Sequence, residues 1–231
     1  MISGLRLPIV MTILMSGICF FSGTAAHAGE QEILPVGEFS QQKLDHWQPK
    51  KFVSETRYAL TTIDGETVLK AVSQQSASGL IKKIRVDLEK YPYLNWRWRI
   101  ENRLPGTFDE KQKPGDDYAA RIYVVVSGGI AIWNTRALNY VWAKNSPKGE
   151  TWPNAFAGNN AMMTALRSAD APVAVWHSEK RNIREDFKTM FGKEVRFIDA
   201  VVLMSDTDNT QKEVTAHYGD IFFSTRSATH R

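Results

Sequence analysis

Apolar and polar positions alternate along this chain in short runs broken by turn-forming residues, the period of a half-buried β-strand. In "RYALTTIDGETVLKAVS" two such runs flank Asp64-Gly65. Tyr58, Leu60 and Thr62 share one face before that pair, and Val68, Lys70 and Val72 share one after it, which predicts a hairpin. "SASGLIKKIRVDL" alternates only approximately through Leu80, Ile84, Val86 and Leu88, as a strand with a bulge or bend does. "YLNWRWRIEN" is regular: Leu94, Trp96, Trp98 and Ile100 lie on one side, and Asn95, Arg97, Arg99 and Glu101 on the other. Further strands are predicted in "YAARIYVVVSGGIAIW", turning at Gly128-Gly129, and in "RALNYVWA", "APVAVWH", "EVRFIDAVVLM" and "TAHYGDIFFS". The period changes to that of a helix in "NIREDFKTMFG". There Asn182 caps, Glu185 follows three residues on, Ile183, Phe187, Met190 and Phe191 form one face, and Gly192 ends the run. "NAMMTALRSA" has helix-forming composition and stays open between helix and strand. Residues 29–50 lack sustained periodicity, contain Pro35, Gly37 and Pro49, and read as a lead-in. Many short strands with one helix predict an all-β-dominated fold, a jelly-roll-like β-sandwich with a short amphipathic helix near 182–191.

The amino-terminal pattern is different in kind. Arg6, the apolar run "LPIVMTILMSGICFF" and the small-residue end "AAHAGE" form a secretory signal, with Ala26-His27-Ala28 as its cleavage pattern. The expectation is a signal peptide over 1–28 and one β-sandwich domain over 29–231, periplasmic or secreted, with no transmembrane anchor after cleavage. Ile18 before Cys19 argues against lipidation, and removal of 1–28 takes the only cysteine with it. Disulfide and thiolate chemistry are thereby excluded from the mature chain. The net charge of +4, or +3 without Arg6, is spread without a basic run, which excludes a nucleic-acid stripe.

The segments "YLNWRWRIENRLP", "KPGDDYAARIYVVV", "LNYVWA", "VWHSEKRNIREDFKTMFG", "VVLMSDTDNT" and "AHYGDIFF", in that order, resemble an exported bacterial family, domain of unknown function 3047 (DUF3047). The resemblance runs from about Phe39 to Phe223 and implies a relative without implying a reaction. At the level of architecture, Trp47, "SASGL" and the final "YGDIFF" look like carbohydrate-binding jelly-roll modules. That likeness implies a glycan ligand and a structural calcium ion.

Two acidic loci carry candidate chemistry. In "SDTDNT", Asp206 and Asp208 point the same way in extended backbone, and with Asn209 and Thr210 they offer part of a calcium shell. Gln211 and His217 stand where an EF-hand needs Gly and Glu, so that loop is absent, and turn capping is the competing reading. In "PGDDYAAR", Asp117 and Arg121 are four apart. They are read as a carboxylate beside an arginine, for binding sugar hydroxyls or an acidic group, or as a structural ion pair. Both loci border apolar runs and are expected to meet at one end of the sandwich. Of the seven tryptophans, Trp96 and Trp98 read as core, whereas Trp133 and Trp152 are the candidate exposed platforms for sugar rings. No G-x-S-x-G elbow, mature cysteine or paired-histidine metal motif is present. His177, Arg181 and Tyr123 are the available set for a lyase, and Asp116 or Asp117 with a distant acid such as Asp208 the available pair for a hydrolase. The expected function is non-catalytic binding of carbohydrate or another envelope glycan through Asp117, Arg121, Trp133, Trp152, Asp208 and Asn209. Calcium at Asp206 and Asp208 is the candidate cofactor, beside the reading that the cluster caps its own turn. The alternatives are a polysaccharide lyase or glycoside hydrolase on the same sandwich, and an envelope scaffold for protein partners.

Overall fold

The computed structural model describes residues 32–225, so the expected signal segment lies outside the described residues. Fourteen strands and one α-helix follow in chain order. They are β1 (Ile33–Gly37), β2 (Trp47–Val53), β3 (Arg57–Ile63), β4 (Glu66–Gln74), β5 (Ala77–Asp87), β6 (Tyr93–Ile100), β7 (Arg121–Val126) and β8 (Arg136–Trp142). After these come β9 (Thr151–Asn154), β10 (Gly158–Arg167), β11 (His177–Asn182), α1 (Ile183–Phe191), β12 (Phe197–Asp206), β13 (Glu213–Tyr218) and β14 (Ile221–Ser224). They form two seven-stranded sheets. The first runs β1-β14-β6-β13-β4-β3, with β11 on the other side of β6; the second runs β2-β5-β12-β7-β8-β10-β9. The fold is the expected β-sandwich, with a single α-helix among the described residues. Among the described residues no helix is long and apolar enough to cross a membrane.

The core lies between the sheets and is rich in aromatic rings. Leu94, Trp96, Trp98 and Ile100 of β6 are all buried, as the alternation requires. Trp96 meets Tyr140 and Trp98 meets Trp142 across the sandwich, at centroid distances of 5.5 and 6.0 Å. The hairpin forms at Asp64-Gly65, both with positive φ (52° and 81°), joining β3 to β4. The expected bulge in β5 falls at Ile84-Arg85, where the register with β12 steps from Val86↔Ile198 to Lys83↔Ala200. Helix α1 is capped by the Asn182 side chain, which accepts from Glu185 N, and ends at Gly192 with φ 66°. Its Ile183 and Phe187 reach the core, and Tyr140 Oη donates to Asp186 at 2.6 Å.

Several segments differ from the sequence expectation or resolve what it leaves open. "IAIW" after Gly128-Gly129 is loop with a short 3-10 helix (Ile132–Asn134) rather than strand, and β9 forms outside the predicted strands. "NAMMTALR" belongs to β10, inserted between β8 and β9 and parallel to β8. The lead-in contains β1 and the start of β2. "APVAVW" is loop rather than strand, with Ala174 at φ 57°. Its Trp176 is instead covered by the Arg97 guanidinium, 4.5 Å from the ring centroid.

Candidate functional site

Residues of β7 alternate between the two faces of the second sheet. Ile122 and Val124 enter the core, so Arg121, Tyr123 and Val125 point outward. Register carries this outer face across the sheet: Met204 pairs with Arg121, Tyr123 with Asn139, and Val125 with Ala137. The outward side chains floor a groove of about 470 Å³, within the size range of small-molecule sites. Phe52 and Val53 form one wall, at the end of β2. There the register steps from Lys51↔Ser78 to Val53↔Ala77, leaving Phe52 as the bulged residue. A bulge re-aims a side chain, and here Phe52 and Val53 both face the groove. The opposite wall is Phe156 and Ala157 in the β9–β10 turn. Asn154 builds that turn by accepting from Phe156 N and Ala157 N, while its Nδ2 donates to Asp116 at 3.2 Å.

The two acidic loci meet at one end of this groove, as their borders with β7 and β12 predict. Asp117, Asp206 and Asp208 each place an oxygen within 4.8 Å of the others. Their partners differ. Asp117 is fully buried and accepts from Asn209 N and Nδ2 (3.2 Å each) and from Thr210 N and Oγ1 (2.6 Å each). It pins the turn of "SDTDNT" from outside. Arg121 does not pair with Asp117, as its spacing suggested. Its Nη2 donates to Asp206 Oδ2, and its guanidinium sits 5.3 Å from the ring centroids of both Tyr118 and Tyr123. Its Nε has no hydrogen-bond partner among the described residues.

Behind Asp206 lies a buried hydroxyl cluster that the sequence reading missed. Ser73 Oγ is 2.9 Å from both Ser76 Oγ and Thr207 Oγ1, and Thr56 Oγ1 donates to Ser205 O at 2.8 Å. Tyr218 Oη donates to Met204 O at 2.8 Å. The visible signal was the density of Ser and Thr in "SQQSAS" and "MSDT". These bonds fix the end of β12, and with it Asp206.

The electrostatics follow from burial. Burial raises the Asp206 carboxyl, against the opposing field of Arg121, and burial likewise raises Asp116. Asp208 is raised by burial and by the nearby Asp117 charge. Burial opposes the charge on Arg121, but Asp206, Tyr123, Asp116 and Tyr118 together outweigh it and hold the guanidinium protonated. A calcium ion takes about six to eight oxygens. Here one carboxylate is occupied by a guanidinium and another by four N–H and O–H donors, so the residues present do not fit a calcium shell.

The remaining candidates separate. Trp133 is 69% exposed, on the loop between β7 and β8, whereas Trp152 is 5% exposed. Trp152 packs with Tyr118, Val141 and Met163 in a small apolar cluster, so its expected role as an exposed platform is corrected. It is buried because Tyr118 packs beside it and the Lys111 ammonium lies over its ring, 5.6 Å from the centroid. Glu110, itself buried, accepts from Ser146 N at 2.7 Å and Lys144 N at 2.6 Å. Asp208 and Asn209 line the groove. His177 contacts Pro172 O, Arg181 is paired with Asp186, and both lie on β11 in the first sheet, away from Tyr123. The lyase set is therefore not assembled. Phe52 and Phe156, the aromatic walls, had no sequence signal, because a bulge and a turn place them.

The folded chain is similar in outline to several solved structures. The Spr0440 (Endo-D) glycoside hydrolase domain from Streptococcus pneumoniae R6 matches at TM-score 0.41 and 8% identity; 80% of this chain is covered, and it spans only 22% of that one. A carbohydrate-binding module, CBM29-2 complexed with cellulohexaose, matches at 0.39 and 8%, covering 86% of this chain and 94% of the other. The Emp47p carbohydrate recognition domain matches at 0.43 and 12%, covering 87% and 99%. All three TM-scores lie below 0.5, and what the groove holds is a question for its own residues. A search of curated protein sequences finds no match. A family profile matches residues 45–222, which contain nearly every element of both sheets and the whole acidic end. The chain belongs to the family described as protein of unknown function (DUF3047).

Proposed function

We propose that this is an exported glycan-binding protein, periplasmic or secreted, whose ligand lies in the groove on the outer face of the second sheet. The observation that carries the reading is the groove's composition. Two exposed aromatic walls, Phe52 and Phe156, face each other across a floor that ends in Asp116, Arg121, Asn154, Asp208 and Asn209. Aromatic faces cover the apolar faces of sugar rings, and carboxylate and amide groups bond the hydroxyls. Export is supported by the 1–28 pattern.

Glycan-array screening followed by calorimetry tests the reading. Binding is expected, with Phe52→Ala and Phe156→Ala each weakening it by about tenfold. No product is expected. New reducing ends that disappear in Asp116→Asn would replace the binding role with hydrolysis, Asp116 being a groove carboxyl raised by burial. Asp117 is unsuited to acid–base work, since both its oxygens are engaged by the turn. If no glycan binds, the reading fails.

A further inference from the structure

The groove floor has two chemically different halves. At one end lie Asp116, Arg121, Asp208 and Asn209. Four residues along β7 from Arg121, about 13 Å at ~3.3 Å per residue, the floor becomes Val125, Ala137 and Ala161. These are cross-strand neighbours: Val125 pairs with Ala137, and Ala137 with Ala161. None offers a side-chain hydrogen-bond partner, so sugar hydroxyls laid on them would lose their water without replacement. Small side chains keep this half open. Beyond it, the loop between β7 and β8 carries Ile130, fully exposed, and Trp133, 69% exposed. Asn160 Nδ2 donates to Trp133 O at 3.3 Å, tying this loop to the segment that follows the Phe156 wall.

We propose that the ligand is a glycan bearing a hydrocarbon substituent, an acyl or alkyl chain. The sugar lies at the acidic end, and the chain runs over Val125, Ala137 and Ala161 toward Trp133 and Ile130. The proposal rests on the glycan reading and adds the ligand's amphipathic class. It accounts for three features at once: an apolar floor beside a polar one, small residues where sugar-bonding side chains would otherwise stand, and exposed apolar residues at the apolar exit.

Calorimetry with the methyl, hexyl and octyl glycosides of the sugar that binds, all below micelle formation, separates the two readings; 1-octanol serves as the sugarless control. Affinity is expected to rise from methyl to octyl, by up to about fourfold for each methylene buried. Ala161→Leu, which fills the floor, should flatten the rise from methyl to octyl. Trp133→Ala, on an exposed loop with no demand on the core, should reduce octyl binding alone. Equal affinity for all three glycosides would overturn the hydrocarbon substituent and leave glycan binding standing. Octanol binding as tightly as octyl glycoside would overturn the glycan reading, and absence of any binding would overturn both.

Discussion

Asp117 is the residue on which the acidic end turns, and its role is structural. Four donors converge on one buried carboxylate, and removal would strand them. Asp117→Ala should cost about 3 kcal/mol, read as a lower denaturation midpoint with unchanged slope. Melting temperature should ignore calcium and chelator alike, because Arg121 already neutralises Asp206; a rise with calcium would restore the cation. Asp208 behaves differently. Its carboxyl is raised, so the folded state holds the proton more tightly than the unfolded chain does. Stability is then fully present at low pH and falls as pH rises from the unfolded value through the raised one. Asp208→Asn should therefore melt higher than the parent at pH 8 and lose that advantage near pH 4. The density of Asp, Asn and Thr in "SDTDNT" showed that something is organised there. What it could not show is that the partner is Asp117, some ninety residues earlier, because hydrogen-bond direction across a sheet leaves no trace in local spacing.

At the scale of elements, legibility followed local consistency. The β3–β4 turn, β6 and α1 satisfy propensity, period and caps within their own residues, and all three form as expected. Asn182→Ala should cost about 1 kcal/mol by removing the cap, and Gly192→Ala a similar amount through its positive φ; thermal melts of the two variants check both. β10 shows the opposite case. Ala, Met and Leu favour helix, but Ala161, Met163, Thr164, Ala165 and Leu166 are all buried between β8 and β9, so packing overrides propensity. β2 was hidden because it is an edge. Its Pro49, Lys50 and Lys51 suppress the apolar signal by which strands are recognised, and those same residues blunt the exposed edge.

Across the whole molecule that edge chemistry recurs. Pro35 lies on β1, Pro49 on β2 and Pro153 on β9, and these strands border the two sheets. Replacing Pro49, Lys50 and Lys51 together by valine should leave the fold intact and promote aggregation, followed by light scattering at raised concentration. The pairing of β1 with β14 has a consequence in time rather than in space. Ile33 lies beside Ser224, and Thr225 N donates to Glu32 O, so the first strand waits for the last. Ile221 and Phe223 of β14 are fully buried and also dock on β6. Contacts this distant along the chain close late and slowly. A chain threaded outward from its amino terminus, as the proposed export requires, would meet its exit still open and compact only after the final strand had emerged.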